Sequence, residues 1–172
     1  LRALVRAKVA IAGGQGGAAA EARAYFAAAR AFMAEAPPHL VAVGGLSGSG
    51  KTTIAAALAP AIGPPPGAVH LRSDIERKRR FGARETDRLP EAAYAEDATA
   101  AVYAELRRLA AAALAAGRSV VVDAVHQRPE EREAIFEIAV AAGVRFTGLW
   151  LDAPTDALKA RVAARRGDAS DA

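Results

Sequence analysis

Apolar and polar segments alternate along most of the chain in a way that predicts a repeated order of strand, loop and helix. Short apolar runs typical of buried strands occur at residues 40–43, 68–72, 119–123 and 144–151. Helices are predicted at residues 53–59, from 75 onward, and at 90–116, 129–142 and 154–166. This order is typical of a parallel sheet with crossover helices, so we expect an α/β fold.

Residues 1–36 do not show this order. They predict two helices, at residues 1–11 and 18–36, which are separated by a glycine-rich break and followed by Pro37 and Pro38. The segment carries no motif with recognisable chemistry, and it fits either a helical hairpin packed on the domain or the end of an upstream domain. We expect residues 39–172 to form one domain.

A glycine-rich loop follows the first predicted strand. Gly45, Gly50, Lys51 and Thr52 match GxxxxGK[ST], a pattern in which backbone N–H groups surround an anion and the next helix adds its positive N-terminal end. A nucleoside triphosphate is the expected ligand, with ATP and Mg²⁺ as the expected pair. The residues predicted to contact it are Gly45, Leu46, Ser47, Gly48, Ser49, Gly50, Lys51, Thr52 and Thr53.

Composition narrows the range of partners. The 172-residue chain has a formal net charge of +4 and a pI near 9.8, which favour an anionic partner such as a nucleotide and do not require nucleic acid. The absence of cysteine excludes disulfides, thiolate metal sites and cysteine nucleophiles, and it fits a reducing compartment, so we expect a cytoplasmic location. No apolar run approaches the ~20 residues that span a bilayer, so no membrane partner is expected.

Two acidic residues are candidates for chemistry next to the loop. Lys51 is expected to reach the β- and γ-phosphates, and Thr52 is expected to offer its hydroxyl to Mg²⁺. Asp123 ends a valine-rich strand, where open α/β sheets bind ligands, so it is either a metal-shell acid or a cap of the next segment. Asp74 follows the second strand and is either the carboxylate that orients an acceptor hydroxyl or a helix N-cap, a role that Ser73 could take instead.

Several cationic and aromatic residues are weaker candidates. Arg77 lies three residues after Asp74 and is expected to face the same cleft, where it would bind an anionic group or orient Asp74. Residues 78–80 cannot all face inward, and most of them are expected to form a solvated face. His126 and Arg128 follow Asp123 and are predicted to line the acceptor pocket. His70 and Trp150 are expected in the core, and Tyr94 and Tyr103 are expected to be packing residues. Tyr94 is also a candidate to line the acceptor pocket.

Arginines recur on the last predicted helix. Arg161 and Arg165 are four residues apart, so they share a helix face and could contact phosphates as a lid closes. They could equally complement the negative C-terminal end of the helix. Because phosphoryl transfer needs positive charge around the transferred group, at least one of them is expected to be catalytic.

Together these segments resemble a known family. The sequences GLSGSGKTT at 45–53, SDIER at 73–77, VVVDA at 120–124 and the arginines between 161 and 166 resemble P-loop kinases of the nucleoside-monophosphate-kinase-like group. Over residues 40–172 the chain is similar to the zeta-toxin, gluconate-kinase and chloramphenicol-phosphotransferase branches. The resemblance implies a three-layer P-loop fold with strand order 2-3-1-4. It also maps a DxxR element onto Asp74 and Arg77, the Walker B acid onto Asp123, and lid arginines onto Arg161 and Arg165.

A narrower resemblance concerns the ends of the chain. The chain is similar to bacterial AAA-family ATPases in which such a kinase follows an aminoglycoside-phosphotransferase-like domain, and residues 4–8 with the helices before Pro37 resemble the end of that upstream domain. The resemblance therefore implies a covalently linked phosphotransferase-like partner. Relatives continue past residue 172 through a lid and a fifth strand, so we expect a C-terminally truncated kinase domain that lacks this strand.

The resemblance and the residues favour an ATP-dependent kinase that phosphorylates a hydroxyl of a small molecule. Two alternatives stay open at this point. An ATP-hydrolysing regulatory module of the AAA type normally carries a second acid after the Walker B aspartate, yet Ala124 follows Asp123. A polynucleotide 5′-hydroxyl kinase would use the basic stretch of residues 72–88.

Overall fold

Helices and strands alternate along most of the chain, as the apolar pattern predicts. The computed structural model describes residues 1–13 and 17–164. Its strands are β1 His39–Gly45, β2 Val69–Arg72, β3 Val120–Asp123 and β4 Arg145–Leu151. Its helices are α1 Arg2–Ala12, α2 Ala18–Phe32, α3 Lys51–Leu58, α4 Ser73–Arg80, α5 Glu96–Ala115, α6 Pro129–Ala141 and α7 Thr155–Ala163, with short 3-10 turns at Ala59–Ala61 and Glu91–Tyr94.

The four strands form one parallel sheet in the order β2-β3-β1-β4, which confirms the predicted α/β class and strand order. Asp123 on β3 is level with Val43 on β1 and with Arg72 on β2. The carboxyl ends of these strands therefore meet at one edge of the sheet, and the loop after β1 begins at that edge. Parallel strands place their ligand sites there.

Residues alternate between the two faces of the sheet because the side-chain period of a strand is two. On one face, Val120 and Val122 pack with Leu106 of α5 and Ile135 of α6. On the other face, Val121 belongs to the cluster under α3. Helices thus cover both faces, and full burial of each such side chain contributes about 1.5–3 kcal/mol of transfer free energy.

Residue contacts divide the chain into two compact units, which are described separately. One unit contains residues 1–36 and 64–66, and its helices α1 and α2 pack against each other. The other contains residues 37–63 and 67–172, with the sheet and helices α3 to α7. Among the described residues, no helix is both long and apolar enough to cross a bilayer.

Helix boundaries differ from the predicted ones where local contacts outweigh the sequence signal. The second helix ends at Phe32 rather than at residue 36, and α3 already begins at Lys51. The helix predicted at 90–116 is interrupted at Ala95, whose ψ of 157° is extended, so a 3-10 turn precedes α5. Residues 165 and 166, predicted to end the last helix, lie outside the described residues.

One predicted environment is wrong, and one lysine departs from its solvated neighbours. Trp150 was expected in the core but is 48% exposed, because β4 lies at the edge of the four-stranded sheet. The Trp150 ring packs on one side against Gly44. Among residues 78–80, Arg79 and Arg80 are exposed, as predicted for most of this group, whereas Lys78 is 2% exposed and its ammonium group donates to the Asp87 carbonyl. A long flexible stem makes such burial possible when the charged end finds an acceptor.

Candidate functional site

The loop between β1 and α3 is built so that backbone, rather than side chains, lines a cradle. Gly45, Gly48 and Gly50 have φ angles of 144°, 85° and 90°, a region that side-chain-bearing residues rarely adopt. A Cβ at Gly48 would lie 2.6 Å from the Leu158 carbonyl oxygen, so no larger residue fits without displacement of α7. The loop is anchored where the Gly45 N–H donates to the Val125 carbonyl at 3.1 Å.

Polar groups inside the loop suit an anionic ligand. The Ser49 hydroxyl is buried and has no hydrogen-bond partner among the described residues, although buried hydroxyls usually have one. Lys51 is also buried, with its Nζ 3.5 Å from the Leu46 carbonyl oxygen, so the ammonium group is held over the loop. The cradle, this hydroxyl and the N-terminal end of α3 together fit a nucleotide phosphate chain.

Helix α7 lies over the same loop. The Arg161 guanidinium donates to the Gly48 carbonyl at 3.3 Å, which places an exposed cation beside the phosphate cradle. The structure therefore brings Arg161 to the predicted place. Arg165, predicted as its partner, lies outside the described residues.

Asp123 lies at the end of β3 in a buried position next to two basic side chains. Its Oδ2 is 3.6 Å from Nε2 of His70 and 3.8 Å from Nε of Arg72. His70, predicted as a core residue, is therefore partly buried beside this carboxylate. Thr52, the other predicted metal ligand, is half-buried in the first turn of α3.

The donor set fits Mg²⁺ bound to a nucleotide. Mg²⁺ prefers oxygen ligands and usually takes one or two from protein, with phosphates and water completing the shell. Thr52 and Asp123 supply such oxygens. Among residues 1–13 and 17–164, no group of three or more His, Cys, Asp or Glu side chains could hold a metal by itself, so a metal here would need the phosphates as well.

Asp74 opens onto a cavity of about 1180 Å³ that it shares with Ser47 and Lys51 of the loop. It is the second residue of α4, and Arg72 rather than Ser73 or Asp74 occupies the N-cap position, without a side-chain cap. The expectation that Asp74 or Ser73 caps this helix is therefore wrong, because the helix begins two residues earlier than predicted and includes both. The Asp74 carboxylate is left to face the cavity.

Burial raises the pKa of the Asp74 carboxyl. Lys51 opposes this rise and the nearby charge of Asp123 adds to it, while Arg72 and Arg77 contribute smaller decreases of the pKa. The two acids and the loop lysine are thus close enough to influence one another. A half-buried carboxylate with a raised pKa beside a phosphate cradle is typical of a group that orients or accepts a proton.

Arg77 lines the cavity, but its guanidinium already makes hydrogen bonds to other residues of the protein. It donates to the Ala93 carbonyl at 2.5 Å and to the Thr99 hydroxyl at 3.2 Å, and it lies 4.8 Å from the centre of the Tyr94 ring. Arg77 is buried, and the turn before α5 is fixed to α4 through it. This geometry suits a residue that shapes the cavity more than one that grips an acceptor.

His126 does not line the cavity. It is 3% exposed, its φ is +50°, and its backbone N–H donates to the Tyr103 hydroxyl at 3.0 Å. The predicted contact of His126 with an acceptor is therefore wrong, because the chain turns the imidazole behind the cavity wall. Burial lowers the pKa of the His126 imidazole to about 4, although the negative charge of Asp123 acts to raise it.

A neutral, buried His126 predicts acid sensitivity. Its lowered pKa contributes stability that is present above about pH 6.5 and is lost as the pH falls through about 4. His126→Asn removes the titrating group, tolerates positive φ, and loses no ring hydrogen bond among the described residues. Between pH 7 and pH 4.5, the free energy of unfolding of the wild type should fall by about 2 kcal/mol more than that of the variant, measured by urea denaturation. Equal losses of unfolding free energy in the two proteins would contradict the interpretation that the folded protein holds a neutral His126 imidazole.

Arg128 lines the cavity as predicted and forms an exposed ion pair. Its guanidinium is 2.7 Å from Glu96 of α5, and its backbone N–H donates to Glu131 at 3.3 Å. The pair joins the starts of α5 and α6 at the rim of the cavity. An exposed pair of this kind contributes little to stability, about 0–1 kcal/mol.

Sequence reasoning missed much of the α5 wall. Tyr103, predicted only as a packing residue, lines the cavity and is buried. Tyr94, which was also a candidate for the acceptor pocket, lines the cavity and is 43% exposed. Burial raises the pKa of Tyr103 to about 12, so it stays a phenol. A helical signal was present in the sequence, because the cavity-facing residues of α5 recur at intervals of one to four: Glu96, Thr99, Ala100, Tyr103 and Arg107.

Comparison with known proteins defines the class. Residues 40–172 match the AAA domain family, so the chain belongs to this family. Uncharacterised proteins of Mycobacterium tuberculosis and Mycobacterium bovis are 31% identical to it over 177 residues, which cover 99% of this chain and 35% of each relative. The chain thus spans about a third of the length of these relatives. The predicted upstream phosphotransferase-like domain stays a prediction.

Solved structures share the fold. An inferred kinase from Chloroflexus aurantiacus matches with a TM-score of 0.62 at 22% identity, over 75% of this chain and 67% of that one. A sugar kinase from a Janibacter species matches with a TM-score of 0.55 at 24% identity, over 78% and 70%. A gluconokinase from Sinorhizobium meliloti matches with a TM-score of 0.52 at 23% identity, over 78% and 68%. The fold is that of P-loop kinases.

Proposed function

We propose that the chain is an ATP- and Mg²⁺-dependent phosphotransferase that moves the γ-phosphoryl group of ATP to a hydroxyl of a small molecule. The observation that carries the proposal is the Asp74 carboxylate, which faces the same cavity as Lys51 and has a raised pKa. A hydrolase needs to position water, whereas a kinase needs a carboxylate beside an acceptor hydroxyl. Membership of the AAA domain family and the P-loop kinase fold support a nucleotide-dependent reaction of this type.

Each group has a distinct role in the proposed reaction. The loop amides and Lys51 balance phosphate charge, and Thr52 with Asp123 would hold Mg²⁺. Asp74 orients the acceptor hydroxyl and takes its proton as the new P–O bond forms and the bond to the ADP oxygen breaks. When bound, the metal neutralises charge on the β- and γ-phosphates.

Arg161 is proposed to stabilise charge on the transferred group. Its guanidinium already contacts the Gly48 carbonyl, so it lies beside the cradle. Arg165 keeps its proposed role as a second lid arginine on sequence grounds alone.

The alternatives have less support from the site. Ala124, which follows Asp123, is fully buried, so the position where AAA-type hydrolases carry a second acid holds a core methyl group. The basic stretch that would favour a polynucleotide acceptor is partly used inside the protein, since Arg77 and Lys78 are buried and Arg79 pairs with Glu76 at 2.6 Å. A small-molecule acceptor fits a cavity of about 1180 Å³ better than a long polyanion does.

A screen for acceptor-dependent ADP release tests the proposal. Sugars, nucleosides, aminoglycosides and amphenicol antibiotics are each added with ATP and Mg²⁺, and phosphorylated products are identified by mass spectrometry. We expect one class to raise ADP release at least about tenfold above the rate without acceptor, because the aligned hydroxyl replaces poorly positioned water. Rapid hydrolysis that no compound stimulates, in ring-shaped oligomers, would support a regulatory ATPase instead.

A further inference from the structure

Four cationic side chains line the cavity: Lys51, Arg77, Arg107 and Arg128. Lys51 is held over the phosphate loop, and Arg128 pairs with Glu96. Arg77 donates a hydrogen bond to the Ala93 carbonyl in the turn before α5. Arg107 is different. Within residues 1–13 and 17–164 it makes no hydrogen bond or ion pair, although it is half-buried in the cavity wall.

The next residue on α5, Arg108, faces solvent and has an acidic partner on the same helix. Arg108 donates from two nitrogens to the two carboxylate oxygens of Glu105, at 2.8 and 2.6 Å. Its charge is thus matched within one helical turn. No such acid accompanies Arg107 among the described residues, although the two arginines are adjacent in sequence.

The acids around the cavity do not supply this missing partner. Asp74 faces Lys51, and Glu96 pairs with Arg128. Glu131 accepts the Arg128 N–H and interacts with the Tyr103 phenol, while Glu130 lies exposed in the first turn of α6. A guanidinium that is partly removed from water without a counter-charge is unfavourable, and a bound anion would relieve that cost.

We propose that Arg107 is an anion subsite, and that the acceptor carries a carboxylate or phosphate group remote from the hydroxyl that receives the phosphoryl group. The guanidinium fork matches either group in a bidentate way. Arg107 lies one helical turn, about 6 Å, beyond Tyr103 along α5, so the acceptor extends along this wall with its hydroxyl at Asp74. This inference rests on the proposed kinase function and specifies its substrate class.

The test measures binding separately from turnover. With ADP and Mg²⁺ occupying the phosphate loop, calorimetric titration compares gluconate, glucose 6-phosphate, neutral glucitol and cationic glucosamine. We expect an anionic probe to bind at least tenfold more tightly than glucitol. Arg107→Gln should weaken that binding by about 10- to 100-fold, Arg107→Lys should weaken it less, and neither should change glucitol binding. Arg108→Gln, on the same helix, is the matched control and should behave as wild type.

The outcomes separate the subsite from the kinase reaction. Phosphorylation of a neutral or cationic compound in preference to its anionic analogue would overturn the anion subsite and leave the kinase standing. Tighter anion binding that depends on Arg107, without transfer to any acceptor, would support the subsite and contradict the proposed reaction. Equal binding of all four probes, or unchanged binding in a folded Arg107→Gln protein, would overturn the subsite. If both anionic probes bind through Arg107, the one that binds more tightly shows whether the subsite prefers a carboxylate or a phosphate.

Discussion

Asp74→Asn should lower acceptor phosphorylation at least about 1000-fold while nucleotide affinity stays within about threefold of wild type. The amide has nearly the same shape as the carboxylate, but it cannot take the acceptor proton. Because Asp74 faces the cavity rather than the glycine cradle, the bound nucleotide should lose no contact. Single-turnover transfer and equilibrium binding of a fluorescent ATP analogue separate the two effects.

The same substitution should stabilise the fold at neutral pH. The raised pKa of Asp74 means that its contribution to stability is fully present below its unfolded value of 3.8 and is lost as the pH rises through the folded pKa. An uncharged Asn avoids that loss, so Tm of the variant should exceed that of the wild type at pH 7, with the gap closing near pH 4. Loss of activity with a gain in stability is the signature of a group kept for function.

Asp97→Asn is the matched control, because Asp97 is the second residue of α5 just as Asp74 is the second residue of α4, and it is exposed. It should leave both transfer and Tm almost unchanged. Full transfer by Asp74→Asn with an identified acceptor would show that the carboxylate is not the proton acceptor. A matching fall in nucleotide affinity would instead place Asp74 in the phosphate site.

Lys51→Met should remove transfer by at least about 1000-fold and also weaken ATP binding by about 10- to 100-fold. The buried ammonium group lies over the phosphate loop and supplies charge in both the bound and the transition states. This pattern differs from that of Asp74→Asn, in which binding survives. Lys51 also opposes the raised pKa of Asp74, so its removal should raise that pKa further.

Lys159→Met, on the exposed face of α7, tests whether general loss of positive charge explains the result, and it should bind ATP normally. The NMR titration of a ¹³C-labelled Asp74 carboxyl would report the pKa change directly. A wild-type affinity for ATP in the Lys51 variant would contradict the assignment of the loop as the phosphate site.

The sequence predicted the parts of the molecule that depend on local pattern. The strands, the helices and the loop after β1 follow from apolar periodicity and from the glycine spacing, because both are properties of consecutive residues. The strand order is a tertiary feature, and it was predicted only from the family resemblance. The placement of Arg161 at the loop agrees with its predicted position, although it depends on the packing of α7 against Gly48.

The rest depends on contacts between distant residues. Periodicity alone could not show that Arg77 donates a hydrogen bond to the carbonyl of Ala93, sixteen positions away. It also could not show that His126 has a positive φ and that its imidazole does not line the cavity. Trp150 was assigned to the core because apolar strands are usually buried, but strand exposure depends on the place of the strand in the sheet. Such errors arise wherever tertiary position decides the environment.

The α5 wall has a practical consequence for enzyme redesign. The exposed or half-buried side chains Glu96, Thr99 and Arg107 belong to one helix, whereas the glycine-rich loop and the proposed metal ligands belong to β1, α3 and β3 and to the segment between β1 and α3. The opposite side of α5, including Leu106 and Ala110, supports the core. A library confined to the three cavity positions would therefore vary the surface that the proposed acceptor contacts while it leaves the proposed nucleotide-binding residues unchanged.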